Sequence, residues 1–147
     1  MGWGFIIDLG NKSLDSYEFM NRFIPMSMSL EDYLNDTNIN QVIVYHNDKI
    51  IALRIYRILG DRIHLTYTAV DIPYRGNSIN HMMLLRIEKV ATNLGIDTLT
   101  SNVRESNSAS LRSLEKSGFK PILGQDLTYS NCEKKIPHMK RLVFSVE

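Results

Sequence analysis

Residues 70–80 read VDIPYRGNSIN, and the two patterns that flank this stretch decide the fold. Before it, residues 63–70 alternate between two faces, with Ile63 and Leu65 on the same face, as in a strand. After it, apolar residues recur every three or four positions, which predicts an amphipathic helix ended by Gly95. The apolar stripe of that helix comprises Ile79, Met82, Met83, Ile87, Val90, Ala91 and Leu94. A strand, a short loop and a helix are therefore predicted in succession.

Three strands joined by short turns lead up to this loop. The alternating and β-branched patterns predict strands at residues 41–45, 50–58 and 63–70, with turns at residues 46–49 and 59–62. Connections of this length join antiparallel neighbours. The sequence therefore predicts a three-stranded antiparallel meander that ends at the loop.

Capping residues and stop signals predict the N-terminal elements. Residues 5–9 form a first short strand, and Ser13 caps a helix that runs to about Phe23, where Pro25 stops it. Ser29 opens a second short helix. The N-terminal region therefore contributes one strand and two helices.

The elements after the long helix alternate between strand and helix. The sequence predicts a strand at residues 98–103, a helix at residues 108–117 that ends at Gly118, and a strand at residues 140–146. Residues 123–137 are polar and are predicted to form a hairpin or loop, whose register stays open.

The order of elements predicts an α+β fold, a central mixed and mostly antiparallel sheet flanked by helices. Residues 63–103 form a strand–helix–strand unit, which is expected to be a right-handed parallel crossover. At 147 residues with 44% hydrophobic composition, the chain is predicted to be a single domain over residues 1–147.

Charge and composition exclude several classes of partner. The formal net charge of +1 and the lack of an aromatic and basic stripe predict no nucleic-acid partner. No apolar run approaches the roughly 20 residues that span a bilayer, and no signal peptide is visible, so no membrane association is expected. The single Cys132 fits a reducing, cytoplasmic location. His46, His81 and His138 lack metal-ligand spacing and are interpreted as surface residues, so no metal is expected.

The loop itself has the chemistry of an anion site. The start of a helix leaves backbone N–H groups unpaired and carries the positive end of the helix dipole. Arg75 adds a full positive charge, and Gly76 lets the backbone come close to a ligand. A pyrophosphate group would suit this site, although a plain connection between strand and helix has the same local sequence features.

Residues 40–147 resemble the GNAT family of N-acyltransferases. The resemblance rests on Val70 at the strand end, Arg75 in the loop, the helix from Ile79, and Asn107 followed by a short helix that ends in Gly118 and Phe119. It implies a GNAT-like fold, acetyl-CoA as co-substrate without a metal, and transfer of an acetyl group to an amine.

The resemblance also implies which residues bind the acyl donor. Backbone N–H groups of the loop and of the first turn of the helix would hold the pyrophosphate of CoA; these residues are Arg75, Gly76, Asn77, Ser78, Ile79 and Asn80. The backbone at Val70 would pair with the pantetheine arm. Asn107 would contact the pantetheine or, alternatively, only cap the following helix.

Two loop positions and the usual acid depart from the family pattern. Ser78 and Asn80 stand where the family has glycine or a small residue, and Leu114 stands where many members have a tyrosine acid. Ser78 is tolerated easily if its φ is negative, whereas Asn80 is bulky enough to crowd the site but can also hydrogen-bond an anion. Tyr129 or Tyr74 could replace the acid.

The family's frequent base is a carboxylate on the third strand of the meander, six residues before the valine. That position is His64, on the same face as Val70. A histidine titrates near neutral pH and can act as a general base, and a packed strand histidine is the alternative interpretation.

Two functions follow from these observations. The first is an N-acyltransferase that moves an acetyl group from acetyl-CoA to a primary amine by direct transfer. The alternative is a catalytically weak or inactive GNAT-fold protein with a binding or structural role. The resemblance implies that residues 13–35 and 123–137 build the acceptor site, which leaves the amine unidentified. Oligomeric state also stays open, with a homodimer as one alternative.

Overall fold

The computed structural model describes residues 4–104, 120–122 and 129–135. The chain divides into two compact units. The first unit comprises Met1–Arg57 and Thr66–Ile87, and the second comprises Ile58–Leu65 and Glu88–Glu147.

The sheet of the first unit is built from consecutive neighbours. Its strands are β1 (Ile6–Asp8), β2 (Ile39–His46), β3 (Lys49–Leu59) and the C-terminal part of β4 (Arg62–Val70), in the order β1-β2-β3-β4. β1 and β3 both pair antiparallel with β2. The turn between β2 and β3 holds Asn47 at φ 53° and Asp48 at φ 63°, the pair of positive φ values that a tight hairpin turn requires. The predicted meander is therefore confirmed.

The second unit contains the parallel step of the sheet. The N-terminal part of β4 pairs parallel with β5 (Thr98–Arg104), in register Ile63↔Leu99. β7 (Tyr129–Lys135) then pairs antiparallel with both β5 and β6 (Lys120–Ile122), which gives the order β4-β5-β7-β6. The sheet is mixed and mostly antiparallel, and with its helices it gives the predicted α+β fold.

Of three sequence predictions for the C-terminal region, the structure describes part of one. β7 occupies residues 129–135, about half of the segment predicted as a hairpin or loop at residues 123–137, and it pairs antiparallel with β6. The predicted helix at residues 108–117 and the predicted strand at residues 140–146 lie outside the described residues.

Serine caps begin both N-terminal helices, as predicted. Helix α1 spans Leu14–Phe23, and the Ser13 hydroxyl accepts a hydrogen bond from the N–H of Ser16. Helix α2 spans Leu30–Asn35, and the Ser29 hydroxyl accepts from the N–H of Asp32. The local capping rule fixes where each helix starts.

The apolar core of the first unit forms between these helices and the strands. Its buried residues come from α1, α2 and three strands: Phe19, Met20, Tyr33, Ile39, Ile43, Leu53, Ile55 and Ala69. Tyr33 is the largest fully buried side chain among the described residues. Its hydroxyl lies 2.7 Å from Ser16 Oγ and also bonds Gln41 Oε1, so the core contains a satisfied polar group.

Helix α3 (Ile79–Asn93) has the predicted bounds but a shifted apolar stripe. Leu84 is buried although the prediction left it out, whereas the predicted Leu94 is 54% exposed. The reason lies at the helix end, where Gly95 adopts φ 76° and the N–H of Ile96 bonds back to the carbonyl of Ala91 at 2.8 Å. This reversal buries Ile96 in the place expected for Leu94. None of the described helices is long and apolar enough to cross a membrane.

Candidate active site

The chain leaves β4 through a tightly bonded turn. The N–H of Asp71 donates to the carbonyl of Ile51 at 2.8 Å, which holds the end of β4 against β3. One 3₁₀ turn, Ile72–Tyr74, follows, and the Asp71 carboxylate accepts from the N–H of Ile72 at its start. The approach to the loop is therefore fixed by local hydrogen bonds.

The loop bends through two residues with left-handed backbone. Gly76 has φ 85° and Ser78 has φ 61°. The glycine adopts this conformation without strain, whereas a serine there costs roughly 1–2 kcal/mol. We expected Ser78 to be tolerated easily if its φ were negative. Its φ is positive, so that condition is not met. Ser78 therefore adopts, with strain, a left-handed backbone conformation that favours glycine.

Helix α3 begins directly after this bend. The carbonyl of Ser78 accepts the N–H of Met82 at 3.0 Å, which is the first turn of the helical ladder. The N–H groups ahead of Met82 in this turn have no helical acceptor, because a helix leaves its first N–H groups unpaired. They are the donors that an anion at this end would use.

Arg75 brings a positive charge to the same loop. Its Nε donates to the carbonyl of Val70 at 2.9 Å, which ties the side chain back to the end of β4. The guanidinium carbon lies 6.0 Å from the centre of the Phe23 ring. Asn77, in contrast, turns its amide to the carbonyl of Tyr74 at 3.1 Å and so supports the loop from within.

A pocket of about 400 Å³ opens between the end of α1, the end of β4 and the start of α3. Six predicted cofactor residues line it: Val70, Arg75, Gly76, Ser78, Ile79 and Asn80. Thr68, Ala69, Tyr74, Phe23 and Ile24 complete the lining. Asn77 is not among the lining residues, and Asn107 lies outside the described residues. The structure thus brings most of the predicted loop residues to one concave surface.

Asn80 is tied to side chains of the sheet beneath the helix. Its Oδ1 accepts from Arg54 Nη1 at 2.6 Å and from the Thr68 hydroxyl at 3.0 Å. Arg54 is only 5% exposed, and burial lowers its pKa to about 10. Sequence reasoning missed Arg54, although one arginine inside the apolar run Ile51–Ile55 was a signal that could have found it.

The predicted base lies on the second unit and is buried. His64 is 9% exposed, and its Nδ1 lies 2.8 Å from the hydroxyl of Thr100 on β5. His64 is not among the residues that line the pocket described above. Its role as base stays a prediction.

The two tyrosines proposed as acids occupy different places. Tyr129 is the first residue of β7. Tyr74 lines the pocket, and its hydroxyl lies 2.9 Å from His46 Nδ1. Interpreting His46 as a surface residue was therefore wrong, because His46 is half-buried and packs edge-on against Tyr74 and Phe5.

Of the two remaining histidines, the one that the structure describes lies outside the pocket. His81 is exposed, as predicted, and His138 lies outside the described residues. In the described part of the chain, no group of three or more histidine, cysteine or acidic residues could hold a metal ion.

Comparisons with known proteins agree with this geometry. A family model described as the acetyltransferase (GNAT) family matches residues 8–119. No curated protein sequence matches the chain.

Several solved structures share the fold at low sequence identity. The ribosomal-protein-S18-alanine N-acetyltransferase from Escherichia coli is 18% identical, with a TM-score of 0.73 over 90% of this chain and 94% of its own. The PaiA N-acetyltransferase from Thermoplasma acidophilum, solved with coenzyme A, is 17% identical, with a TM-score of 0.68 over 90% and 99%. Naa50 from Arabidopsis thaliana, solved with the bisubstrate analogue CoA-Ac-MVNAL, is 16% identical, with a TM-score of 0.72 over 90% and 99%.

The family match covers most of the chain and includes the strand, loop and helix that form the pocket. The chain belongs to the GNAT acetyltransferase family.

Proposed function

We propose that the chain is an N-acyltransferase that moves an acetyl group from acetyl-CoA directly to a primary amine. The observation that carries this proposal is the pocket at the start of α3. It combines unpaired helix N–H groups and the charge of Arg75 with the apolar side chains of Phe23 and Ile24. A ligand with a pyrophosphate at one end and a less polar arm suits both kinds of wall.

The residues present fit such a ligand. A Cβ built on Gly76 would meet nothing within 4 Å, so there is free space beside the loop backbone. Among the described residues that line the pocket there is no carboxylate, which leaves the charge balance in favour of an anion. When bound, acetyl-CoA supplies the acetyl group as a reactive thioester.

The loop and the strand have separate tasks in this proposal. The N–H groups at the start of α3, together with Arg75, hold the pyrophosphate. The backbone at Val70 orients the pantetheine arm, and Asn107 either contacts that arm or caps the following helix. Holding the donor in one orientation lowers the entropic barrier to attack by the amine.

His64 is the proposed general base that accepts a proton from the amine. The hydroxyl of Thr100 lies 2.8 Å from one ring nitrogen, Nδ1, and helps to orient the imidazole. We expect His64→Ala to lower kcat by about a hundredfold, because a general base contributes on this scale. The acetyl-CoA dissociation constant is expected to change little. Steady-state kinetics and calorimetry measure the two quantities.

Thr100→Val is the matched variant for this prediction, because it keeps the side-chain shape and removes only the hydroxyl that bonds His64. It is expected to lower kcat by a smaller factor than His64→Ala. Unchanged turnover in His64→Ala would remove His64 from the mechanism.

Tyr129 is the proposed acid that returns a proton to the departing CoA thiolate. This acid has little to contribute, because a thiol with a pKa of about 8.5 leaves readily as the thiolate. Tyr129→Phe tests the assignment through kcat alone, since the phenyl ring keeps the shape of the side chain.

A GNAT-fold protein that binds but does not transfer is the second candidate. The strained Ser78 and the presence of the Asn80 side chain at the pocket favour it, because both occupy positions where the family has small residues. The two candidates differ in turnover, not in fold.

The deciding experiment incubates the protein with acetyl-CoA and a panel of primary amines, including peptides with a free N-terminus. Release of the CoA thiol and the mass increase of each amine are followed, and reactions without amine serve as the control. Thiol release that requires an amine supports the transferase. Binding of acetyl-CoA without acetylation of any amine supports the second candidate.

A further inference from the structure

A buried arginine lies beneath the pocket. Arg54 is only 5% exposed in the middle of β3. In the part of the chain that the structure describes, no carboxylate pairs with it, and its Nε has no hydrogen-bond partner. A buried charge without a counter-charge is unfavourable for folding and calls for an explanation in function.

The described acceptor of this arginine is Asn80. Asn80 Oδ1 accepts from Arg54 Nη1 at 2.6 Å and from the Thr68 hydroxyl at 3.0 Å. Because a guanidinium has donors and no acceptor, the oxygen of the amide must face Arg54. The orientation of the Asn80 amide is therefore fixed. Its Nδ2–H donors, on the opposite side of the amide from Oδ1, face away from Arg54.

Asn80 itself lines the pocket, whereas Arg54 is not among the lining residues. Asn80 is also the second residue of α3, so its side chain lies at the helix end that carries the unpaired N–H groups. Withdrawal of electron density at Oδ1 by the guanidinium makes the Nδ2–H group a stronger donor.

We propose that Arg54 and Thr68 orient Asn80 so that its Nδ2–H group donates a hydrogen bond to the pyrophosphate of CoA. This inference rests on the proposed function, because it names a further contact in the same pocket. Asn80 is the binding residue, and Arg54 and Thr68 are positioning residues. An amide donor thus replaces the close backbone approach that a small residue would give.

Asn80→Asp is the decisive variant, because it preserves shape and the acceptor for Arg54 but turns the donor into an anionic oxygen. The new carboxylate pairs with Arg54 and lies in the first turn of α3, where a negative charge is favourable. The melting temperature is therefore expected to rise by about 2–4 °C. The affinity for CoA, measured by calorimetry, is expected to fall by more than about tenfold, because a charge-assisted hydrogen bond is replaced by repulsion.

Asn80→Ala is the matched control, because it removes the donor without adding a charge. It is expected to weaken CoA binding by about tenfold and to lower the melting temperature, since Arg54 loses its acceptor. A purely structural role would make affinity follow stability, so that Asn80→Asp would bind as well as the wild type. That result would overturn the inference, as would tighter binding by Asn80→Ala, which would mean that Asn80 crowds the ligand.

Dephospho-CoA, which lacks the 3′-phosphate and keeps the pyrophosphate, locates the contact. The loss of affinity caused by Asn80→Asp is expected to be equal for CoA and dephospho-CoA. A loss confined to CoA would place the contact on the 3′-phosphate and overturn the assignment. Wild-type protein that fails to bind CoA would defeat the proposed function and this inference together, whereas wild-type binding with an unaffected Asn80→Asp variant defeats this inference alone.

Discussion

Tyr33 and Arg54 are both buried polar side chains of the first unit, but their neighbours satisfy them to different degrees. The Tyr33 hydroxyl bonds both Ser16 Oγ and Gln41 Oε1, and Gln41 in turn donates to the carbonyl of Asn11 at 3.2 Å. Arg54 has Asn80 as its described acceptor, and its Nε is unpartnered in the described part of the chain.

The difference separates a network that serves the fold from one that serves a ligand. The Tyr33 network lies within the apolar core, and each hydrogen bond in it stabilises the native packing. The Arg54 network ends at a pocket, where the remaining positive charge can favour an anion instead. Disruption of the Tyr33 network should therefore lower the stability of the fold without changing CoA affinity. Disruption of the Arg54 network should lower CoA affinity without lowering stability.

The largest effect is expected from Tyr33→Phe. At neutral pH the variant should lose about 1–3 kcal/mol of unfolding free energy, because the buried Gln41 Oε1 loses the hydroxyl that donates to it. CoA affinity should not change. Denaturant unfolding and calorimetry measure the two quantities, and a marked loss of affinity would contradict the separation.

The same variant carries a pH signature. Burial raises the pKa of Tyr33 to about 12 from the value of 10.0 expected in the unfolded chain. The neutral hydroxyl therefore stabilises the protein fully below pH 10, and this contribution is lost as the pH rises through 12. The stability gap between wild type and Tyr33→Phe should narrow between about pH 10 and 12. A constant gap would show that Tyr33 does not ionise differently on unfolding.

Arg54→Met is expected to show the opposite pattern. Stability should stay the same or rise, because an apolar side chain of similar length replaces a buried charge that has no counter-charge among the described residues. CoA affinity should fall by about tenfold, or about 1.4 kcal/mol, because the Asn80 amide loses the donor that orients it. Calorimetric titration checks the affinity, and binding equal to the wild type would show that Arg54 has no positioning role.

The smallest effect concerns the loop backbone. Ser78→Gly should stabilise the protein by about 1 kcal/mol, because φ 61° favours glycine over serine. Asn47→Gly is the matched control, since Asn47 has φ 53° in a hairpin turn where asparagine is well tolerated. Chemical denaturation compares the two, and an equal gain at Asn47 would contradict the idea that Ser78 is strained.

Local signals predicted much of the fold from the sequence. Ser13 and Ser29 mark the starts of α1 and α2 because a cap acts within three residues of itself. The turn at Asn47 and Asp48 fixes the hairpin between β2 and β3 for the same local reason. The end of α3 was harder, because the reversal at Gly95 decides whether Leu94 or Ile96 is buried.

The sequence predicted the pocket only where its residues are contiguous along the chain. Val70 and most of the loop from Arg75 to Asn80 are contiguous in sequence, and the structure brings them to one pocket. The partnership of Arg54 with Asn80 joins residues 26 positions apart, and no local pattern specifies it. The strain at Ser78 depends on a backbone angle that a serine in the sequence does not reveal.

The central claim is that the pocket at the start of α3 binds the acyl donor. Titration of acetyl-CoA into the wild-type protein, followed by thermal unfolding, tests it most directly. Specific binding predicts a melting temperature that rises with ligand concentration, since a ligand that binds the native state alone stabilises it. An unchanged melting temperature at millimolar acetyl-CoA would contradict the claim.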